Sequence, residues 1–205
     1  MHGAGQADEI VRCSEMRLMR IAIIPGSLRA GSYNRKLAHV AEAILQKHNC
    51  ETDYVDLKDH PLPPYDGDIE ESTGVPDTCW KLKARIASAH AVVISSPEYN
   101  GGIPGTFKNV IDWTSRGGSN PWGGKVVMLM GASDGPWGTN RMMPALKQVY
   151  SIMGSIVIPQ TVTIPHAGKV WDKEGNLVDE TLPGRIEKVI ANLLNVTQKM
   201  TAERL

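Results

Sequence analysis

The chain has 205 residues, 41% hydrophobic and 21% charged, the composition of an ordinary globular domain. Its 22 basic and 22 acidic side chains balance to a formal net charge of zero. That argues against a protein whose affinity rests on neutralising a nucleic-acid backbone, and leaves room for a small anion held by backbone amides. Three widely spaced cysteines (Cys13, Cys50, Cys79) without a C-x-x-C pair argue against a disulfide framework or a thiolate metal centre. The six histidines show no metal-ligand spacing. A reducing compartment, the cytoplasm, is the expectation. No apolar run approaches the roughly 20 residues of a membrane helix, so no membrane segment is expected.

Residues 1–19 lack the apolar centre of a secretory signal. They are expected to form a flexible extension, or else an arm reaching a neighbouring subunit, ahead of one domain over 20–205. From Arg20 the pattern becomes regular. Ile21–Ile24 reads as a strand buried on both faces, and turn formers from Pro25 to Tyr33 interrupt it. Asn34 can cap a helix carrying Leu37, Val40, Ala41, Ile44 and Leu45 at helical spacing. A second strand is expected around Tyr54, Val55 and Leu57, closed by Asp56. His60–Pro76, rich in proline, glycine and acids, reads as loop with a solvated Glu70–Glu71 pair.

Trp80, Leu82, Ile86 and Ala87 mark a second helix, and Ala91–Ser95 a third strand. Phe107, Val110, Ile111 and Trp113 mark the next helix, Lys125–Met130 the fourth strand, and Thr139–Met153 a further helix. Ile156–Ile158 and Thr161–Thr163 share the fifth strand position. Trp171–Leu177 can form a small hairpin, and a last helix runs over about Leu182–Lys199. Strand and helix alternate throughout. The expected class is α/β: a three-layer sandwich of a five-stranded parallel sheet with helices on both faces. Ligands of such sheets bind beyond the carboxyl ends of the strands, where strand order reverses. The three most unusual loops follow the first, third and fourth strands, so they should meet there.

The first loop, Gly26–Arg35, joins a buried strand to a helix start and offers Ser27, Ser32 and Asn34 as short polar groups. A helix amino end attracts anions, and Arg29 adds a charge-assisted contact. The loop has neither the Lys-Ser/Thr of a nucleotide-triphosphate loop nor a G-x-G-x-x-G fingerprint, so it suits a monophosphate; the plainer reading is a capped turn. The second loop, Pro97–Gly105, reads equally as a cradle for a flat heterocycle or as a tight connection with Pro104 at a helix start. In the cradle reading Asn100 and backbone groups meet the polar edge and Tyr99 the plane. The third loop, Gly131–Gly138, presents Ser133 and Trp137, with Trp137 as a stacking or a packing residue. Lys108, Asn109, Asp112 and His166 read as structural or interface residues.

Gly26-Ser-Leu-Arg…Ser32-x-Asn34-Arg35, Ser96-Pro-Glu-Tyr-Asn100 and Pro104-Gly…Lys108-Asn109-x-x-Asp112-Trp113 together resemble the NADPH-dependent FMN reductase family. Its members include quinone, azo-dye and chromate reductases with a flavodoxin-like fold. The resemblance implies an FMN-dependent NAD(P)H oxidoreductase. It would pass electrons from NADPH or NADH through FMN, by a ping-pong exchange, to quinones or other acceptors such as azo compounds, chromate or free flavin. It places the FMN phosphate at Ser27, Arg29, Ser32, Tyr33 and Asn34, and the isoalloxazine at Pro97, Glu98, Tyr99, Asn100 and Gly101. Ser133 and Gly135 flank it from the third loop. Flavin N5 would be the reactive centre, with no dedicated acid–base side chain and no metal. A homodimer or homotetramer follows from the same resemblance. The alternative is a flavodoxin-type FMN electron carrier without NAD(P)H oxidase activity; such carriers are strongly acidic, unlike this neutral chain.

Overall fold

The computed structural model describes residues 18–202. Most of the extension expected over residues 1–19 lies outside the described residues; its last residue, Met19, accepts a hydrogen bond from the Glu51 amide (2.9 Å) and packs on the core. Five parallel strands follow: β1 Arg20–Pro25, β2 Glu51–Tyr54, β3 Ala91–Ser95, β4 Val126–Ala132 and β5 Ile156–Ile164. Their order is β2-β1-β3-β4-β5, so the direction of winding reverses between β1 and β3. Six helices connect and flank them: α1 Tyr33–Lys47, α2 Gly67–Thr73, α3 Asp77–Ser88, α4 Gly105–Thr114, α5 Met143–Ile152 and α6 Leu182–Ala202. This is the flavodoxin-like sandwich expected from the alternation.

The central strands are apolar without a break because both faces are covered, and successive residues feed opposite layers. Ile21, Ile23, Val93, Met128 and Met130 pack on one face with α1 and α6. Ala22, Ile24, Val92, Ile94, Val127 and Leu129 pack on the other with α3, α4 and α5. Burying a Val, Leu or Ile side chain is worth about 1.5–3 kcal/mol, so these two layers supply most of the drive to fold. At the β2 edge Asp53 ties the layers laterally. Arg85 of α3 grips its carboxylate and Arg20 of β1 reaches it at 3.2 Å. Burial pushes Asp53 up, but these hydrogen bonds outweigh it and hold the carboxyl below its usual range.

Four expectations need correction. The second strand ends at Tyr54, and Leu57 lies in a 3-10 turn capped by Asp56, whose carboxylate accepts from the Lys58 amide (3.0 Å). The segment read as loop contains α2, capped by Asp66 and carrying no buried residue. One tertiary and one local hydrogen bond hold the segment: Tyr65 N–H donates to Asn109 Oδ1 (2.7 Å), and the Tyr65 hydroxyl donates to Glu70 (2.9 Å). Glu70 is thus partnered rather than merely solvated. Third, α5 starts at Met143, since 136–142 are occupied by turns that close the third loop. Fourth, Ser32, not Asn34, caps α1, and its Oγ accepts from the Asn34 amide (3.2 Å).

The two apolar pieces assigned to the fifth strand do form one strand. Its register shifts opposite Val127–Leu129, where Pro159, which has no N–H for the ladder, and Gln160 are exposed. The Trp171–Leu177 pair forms the expected antiparallel bridge.

Candidate active site

The loops after β1, β3 and β4 converge on a cavity of about 440 Å³ at the carboxyl edge of the sheet. It opens at the β1/β3 reversal, where the crossovers on either side leave a crevice. Its walls contain every residue that the resemblance assigned to the cofactor: Ser27, Arg29, Ser32, Tyr33 and Asn34; Pro97, Glu98, Tyr99, Asn100 and Gly101; Ser133 and Gly135; Trp137, the stacking candidate of the third loop, is not among the lining residues. The cavity also takes in Ala132, Asp134 and Arg141, which sequence reasoning missed as site residues. Arg141 had a signal, since it is the only basic residue between Lys125 and Lys147.

The first wall is a turn made of hydroxyls and a cation. Ser27 and Ser32 are nearly fully buried, while Arg29 is exposed. The Ser32 amide donates to the Arg29 carbonyl (3.2 Å), and Ser27 Oγ accepts from the Arg29 amide (3.4 Å). The first turn of α1 carries no acid, so nothing on the helix opposes its positive end. Gly26 is required for the approach: a Cβ there would stand 3.0 Å from both Phe107 Cγ and Ser96 Oγ. Asn34 plays a different part from the one expected. Its Nδ2 donates to the Ala132 carbonyl (2.9 Å), and its Oδ1 accepts from the Ala132 amide (2.9 Å) and from Ser95 Oγ (3.2 Å). A buried amide so occupied stitches α1 to the ends of β3 and β4, and so sets the distance between the walls.

The second wall is a two-residue hairpin. Tyr99 and Gly102 exchange both backbone hydrogen bonds (3.1 and 3.0 Å), with Asn100 and Gly101 at φ 52° and 77° between them. Asn-Gly is the natural pair for such a turn, because both central residues need positive φ. The ladder uses the amides of Tyr99 and Gly102 and not those of Asn100 and Gly101. Tyr99 stands about half exposed on the rim. Glu98, expected as a cofactor residue, uses Oε2 to accept from the amides of Arg141 and Met142 (both 3.0 Å). It satisfies free N–H groups ahead of α5 and locks the second loop to the third.

The third wall is fastened to the chain after β5. Ser133 Oγ donates to the Gly138 carbonyl, and the Ser133 amide to Ile164 (3.0 Å). Asp134 Oδ1 accepts from the Gly168 amide (2.8 Å), and His166, in left-handed backbone, donates its amide to Gly135 (3.2 Å). Tyr33 stacks on Trp171 with centroids 5.6 Å apart. Trp137 is exposed, and the Arg141 guanidinium lies over its ring at 5.5 Å. The α4 residues serve structure. Lys108 pairs with Asp112, and both Asn109 Nδ2 and Trp113 Nε1 donate to the Pro63 carbonyl (2.8 Å).

One end of the cavity therefore offers hydroxyls, a guanidinium and a helix amino end, which suits a phosphate. The other offers a polar hairpin turn and an aromatic rim, which suits a flat ring with polar edges. FMN fits this donor set, and the volume lies within the roughly 300–1,000 Å³ of small-molecule sites. Among the described residues no cluster has the side chains to hold a metal ion, and no helix is long and apolar enough to cross a membrane.

Sheet order and cleft together define a flavodoxin-like mononucleotide-binding α/β protein. The family model of NADPH-dependent FMN reductases matches residues 19–169, and the chain belongs to that family: an enzyme with FMN as cofactor and NAD(P)H as cosubstrate. It is 36% identical to a 2-hydroxy-1,4-benzoquinone reductase of Burkholderia sp. over 79% of this chain and 87% of that one. To a quinone reductase of Escherichia coli K12 it is 33% identical, over 79% and 86%. Among solved structures, the flavoenzyme NAD(P)H:(acceptor) oxidoreductase FerB of Paracoccus denitrificans superimposes with a TM-score of 0.74 at 27% identity, over 89% of this chain and 99% of that one.

Proposed function

We propose that the protein is a quinone reductase that takes electrons from NADPH or NADH and passes them by ping-pong exchange to quinones or other acceptors such as azo compounds, chromate and free flavin. The observation that carries this reading is the convergence of three loops, each with its own chemistry, on one open cleft. Ser27, Arg29, Ser32 and the amino end of α1 would hold the FMN phosphate, with Tyr33 and Asn34 fixing their position. The hairpin Tyr99–Gly102, with Pro97 and Glu98 behind it, would support the isoalloxazine, and Ser133 and Gly135 would flank it.

Bound FMN supplies the two-electron chemistry. The chain contributes orientation, and the amides of Asn100 and Gly101 are the candidate donors where negative charge gathers on the ring edge. A single cleft must admit nucleotide and acceptor in turn, which is the physical reason for ping-pong kinetics. The overall reaction balances as quinone, NAD(P)H and a proton giving hydroquinone and NAD(P)+, with the proton drawn from solvent. The named quinone reductases among the relatives support the acceptor class. Exposed Leu28, Tyr99 and Trp137, one on each of the three loops, support a homodimer or homotetramer in which a neighbour covers them. The free, buried Cys50 and Cys79 support the cytoplasm.

Anaerobic mixing with NADPH and with NADH tests this. Rapid bleaching of the bound flavin, followed by recovery on adding a quinone and parallel double-reciprocal plots, is the expected result. A flavin that stays oxidised under NAD(P)H would instead mark an electron carrier.

A further inference from the structure

Two acids line the cavity, and they are spent differently. The side chain of Glu98 is largely buried; Oε2 accepts from the amides of Arg141 and Met142, and Oε1 faces Arg141 Nε at 3.9 Å. Asp134 is exposed and gives Oδ1 to the Gly168 amide (2.8 Å), and among the described residues Oδ2 has no hydrogen-bond or ion-pair partner. Tyr33, also on the cavity wall, stacks its ring on Trp171, and among the described residues its hydroxyl has no partner either. The two groups meet at Gly168: a Cβ there would stand 3.1 Å from Asp134 Oδ1 and 3.1 Å from the Tyr33 hydroxyl. Elsewhere on these walls the side-chain acceptors are committed. Asn34 Oδ1 serves Ala132 and Ser95, and Glu98 Oε2 serves two amides. Asp134 Oδ2 is therefore an unspent acceptor, beside a hydroxyl that is also free.

We propose that Asp134, with the Tyr33 hydroxyl beside it, binds the hydroxyls of the polyol chain that joins the phosphate of FMN to its ring, so that the site selects flavins by their side chain. A carboxylate is ill suited to either end of this ligand: it repels a phosphate, and it repels the negative charge that gathers on a reduced ring. It suits the neutral hydroxyls between them. An alcohol must donate its hydrogen somewhere, and an ionised carboxylate is the strongest acceptor that a side chain offers it. Oδ2 takes that bond, while Oδ1 stays with Gly168 and keeps the third loop fastened to the chain after β5. The Tyr33 hydroxyl both donates and accepts, so it serves a neighbouring hydroxyl of the same chain. This inference rests on the reading of the cavity as the FMN site.

The test titrates the full-length apoprotein with riboflavin, FMN and lumiflavin, which carries the same ring with a methyl group in place of the polyol chain. Flavin fluorescence is followed in the wild type, Asp134→Asn and Tyr33→Phe. Asp134→Asn retains an oxygen for the Gly168 amide and replaces the free acceptor by a donor. The expected result is a rise of roughly tenfold to a hundredfold in the riboflavin dissociation constant, the usual worth of a charged hydrogen bond, with lumiflavin unchanged within about threefold. FMN weakens less than riboflavin, because the same change removes a charge that opposes its phosphate. Tyr33→Phe keeps the ring that stacks on Trp171, weakens riboflavin by roughly threefold to tenfold and spares lumiflavin. Riboflavin binding unchanged in Asp134→Asn overturns the proposal. So does an equal loss for lumiflavin, which would leave Asp134 only its structural bond to Gly168. Tighter FMN with unchanged riboflavin overturns it too, making the carboxylate no more than a brake on the phosphate. Riboflavin has no phosphate, so an Arg29→Ala variant that keeps FMN as tightly as the wild type would sink the phosphate placement alone, and a riboflavin loss in Asp134→Asn would still support the polyol contact.

Discussion

Arg29 and Asn34 lie a few residues apart and do opposite work, which residue type alone does not reveal. Arg29 is exposed on a turn whose hydroxyls and amides face the same cavity. Its guanidinium is expected to contribute one charged hydrogen bond to the phosphate. Arg29→Ala should weaken FMN binding by about 1.5–3 kcal/mol, read from the dissociation constant in a fluorescence titration of the apoprotein. An unchanged constant would remove the first loop from the phosphate site. Asn34 looks like a cap or a ligand in the sequence because it sits where both belong. The structure gives its amide to Ala132 and Ser95 on two other strands. That role depends on residues 61 and 98 positions away. Glu98 is similar: a carboxylate beside a flat-ligand loop, consumed by amides of a segment that the chain reaches much later.

At the scale of elements, the loops are shaped by close approach. A Cβ on Gly131 would run into Thr139 and the Ser96 carbonyl, whereas the nearest atom to a Cβ on Gly135 is Ser133 Oγ at 3.8 Å. Gly131→Ala should therefore destabilise the protein by more than about 2 kcal/mol in urea unfolding, within the range of overpacking, and Gly135→Ala by less than 0.5 or so. Comparable losses would mean that the third loop is not held by that contact.

The turn after β2 carries its own pH dependence. A bidentate hydrogen bond from Arg35, at 2.7 and 2.5 Å, lowers the Asp56 carboxyl to about 2. The folded value lies below the unfolded one of about 3.9, so this pair stabilises the fold above about pH 4 and its contribution is lost as pH falls towards 2. Thermal unfolding of Asp56→Asn should show a shallower loss of stability across that window than the wild type. Among the elements themselves, the buried strands and amphipathic helices were legible because their periodicity is local. Helix α2 was not. Its short, polar, proline-flanked sequence carries no periodic signal, and the hydrogen bonds that hold the segment come from Asn109 on another helix.

For the molecule as a whole, cofactor and fold are linked, since the cleft proposed for FMN exists only in the folded chain. Saturating FMN at a hundred times its dissociation constant should raise the unfolding free energy by about 2.7 kcal/mol. Riboflavin at the same concentration, lacking the phosphate, should raise the melting temperature much less. Equal shifts would place the main grip on the ring rather than at Ser27–Ser32.

By itself the sequence settled the layered α/β plan, the five parallel strands and the three loops that had to meet. These follow from alternating buried runs and from turn formers at fixed places, information carried by neighbours along the chain. It also pointed to all the residues that line the cavity walls except Ala132, Asp134 and Arg141. Only the tertiary structure decided which of these side chains still face the cavity with free donors and which are consumed in joining its walls. Hydrogen-bonding capacity is exhaustible, and its allotment among Asn34, Glu98, Ser133 and Arg141 depends on partners that are distant in sequence and adjacent only after folding.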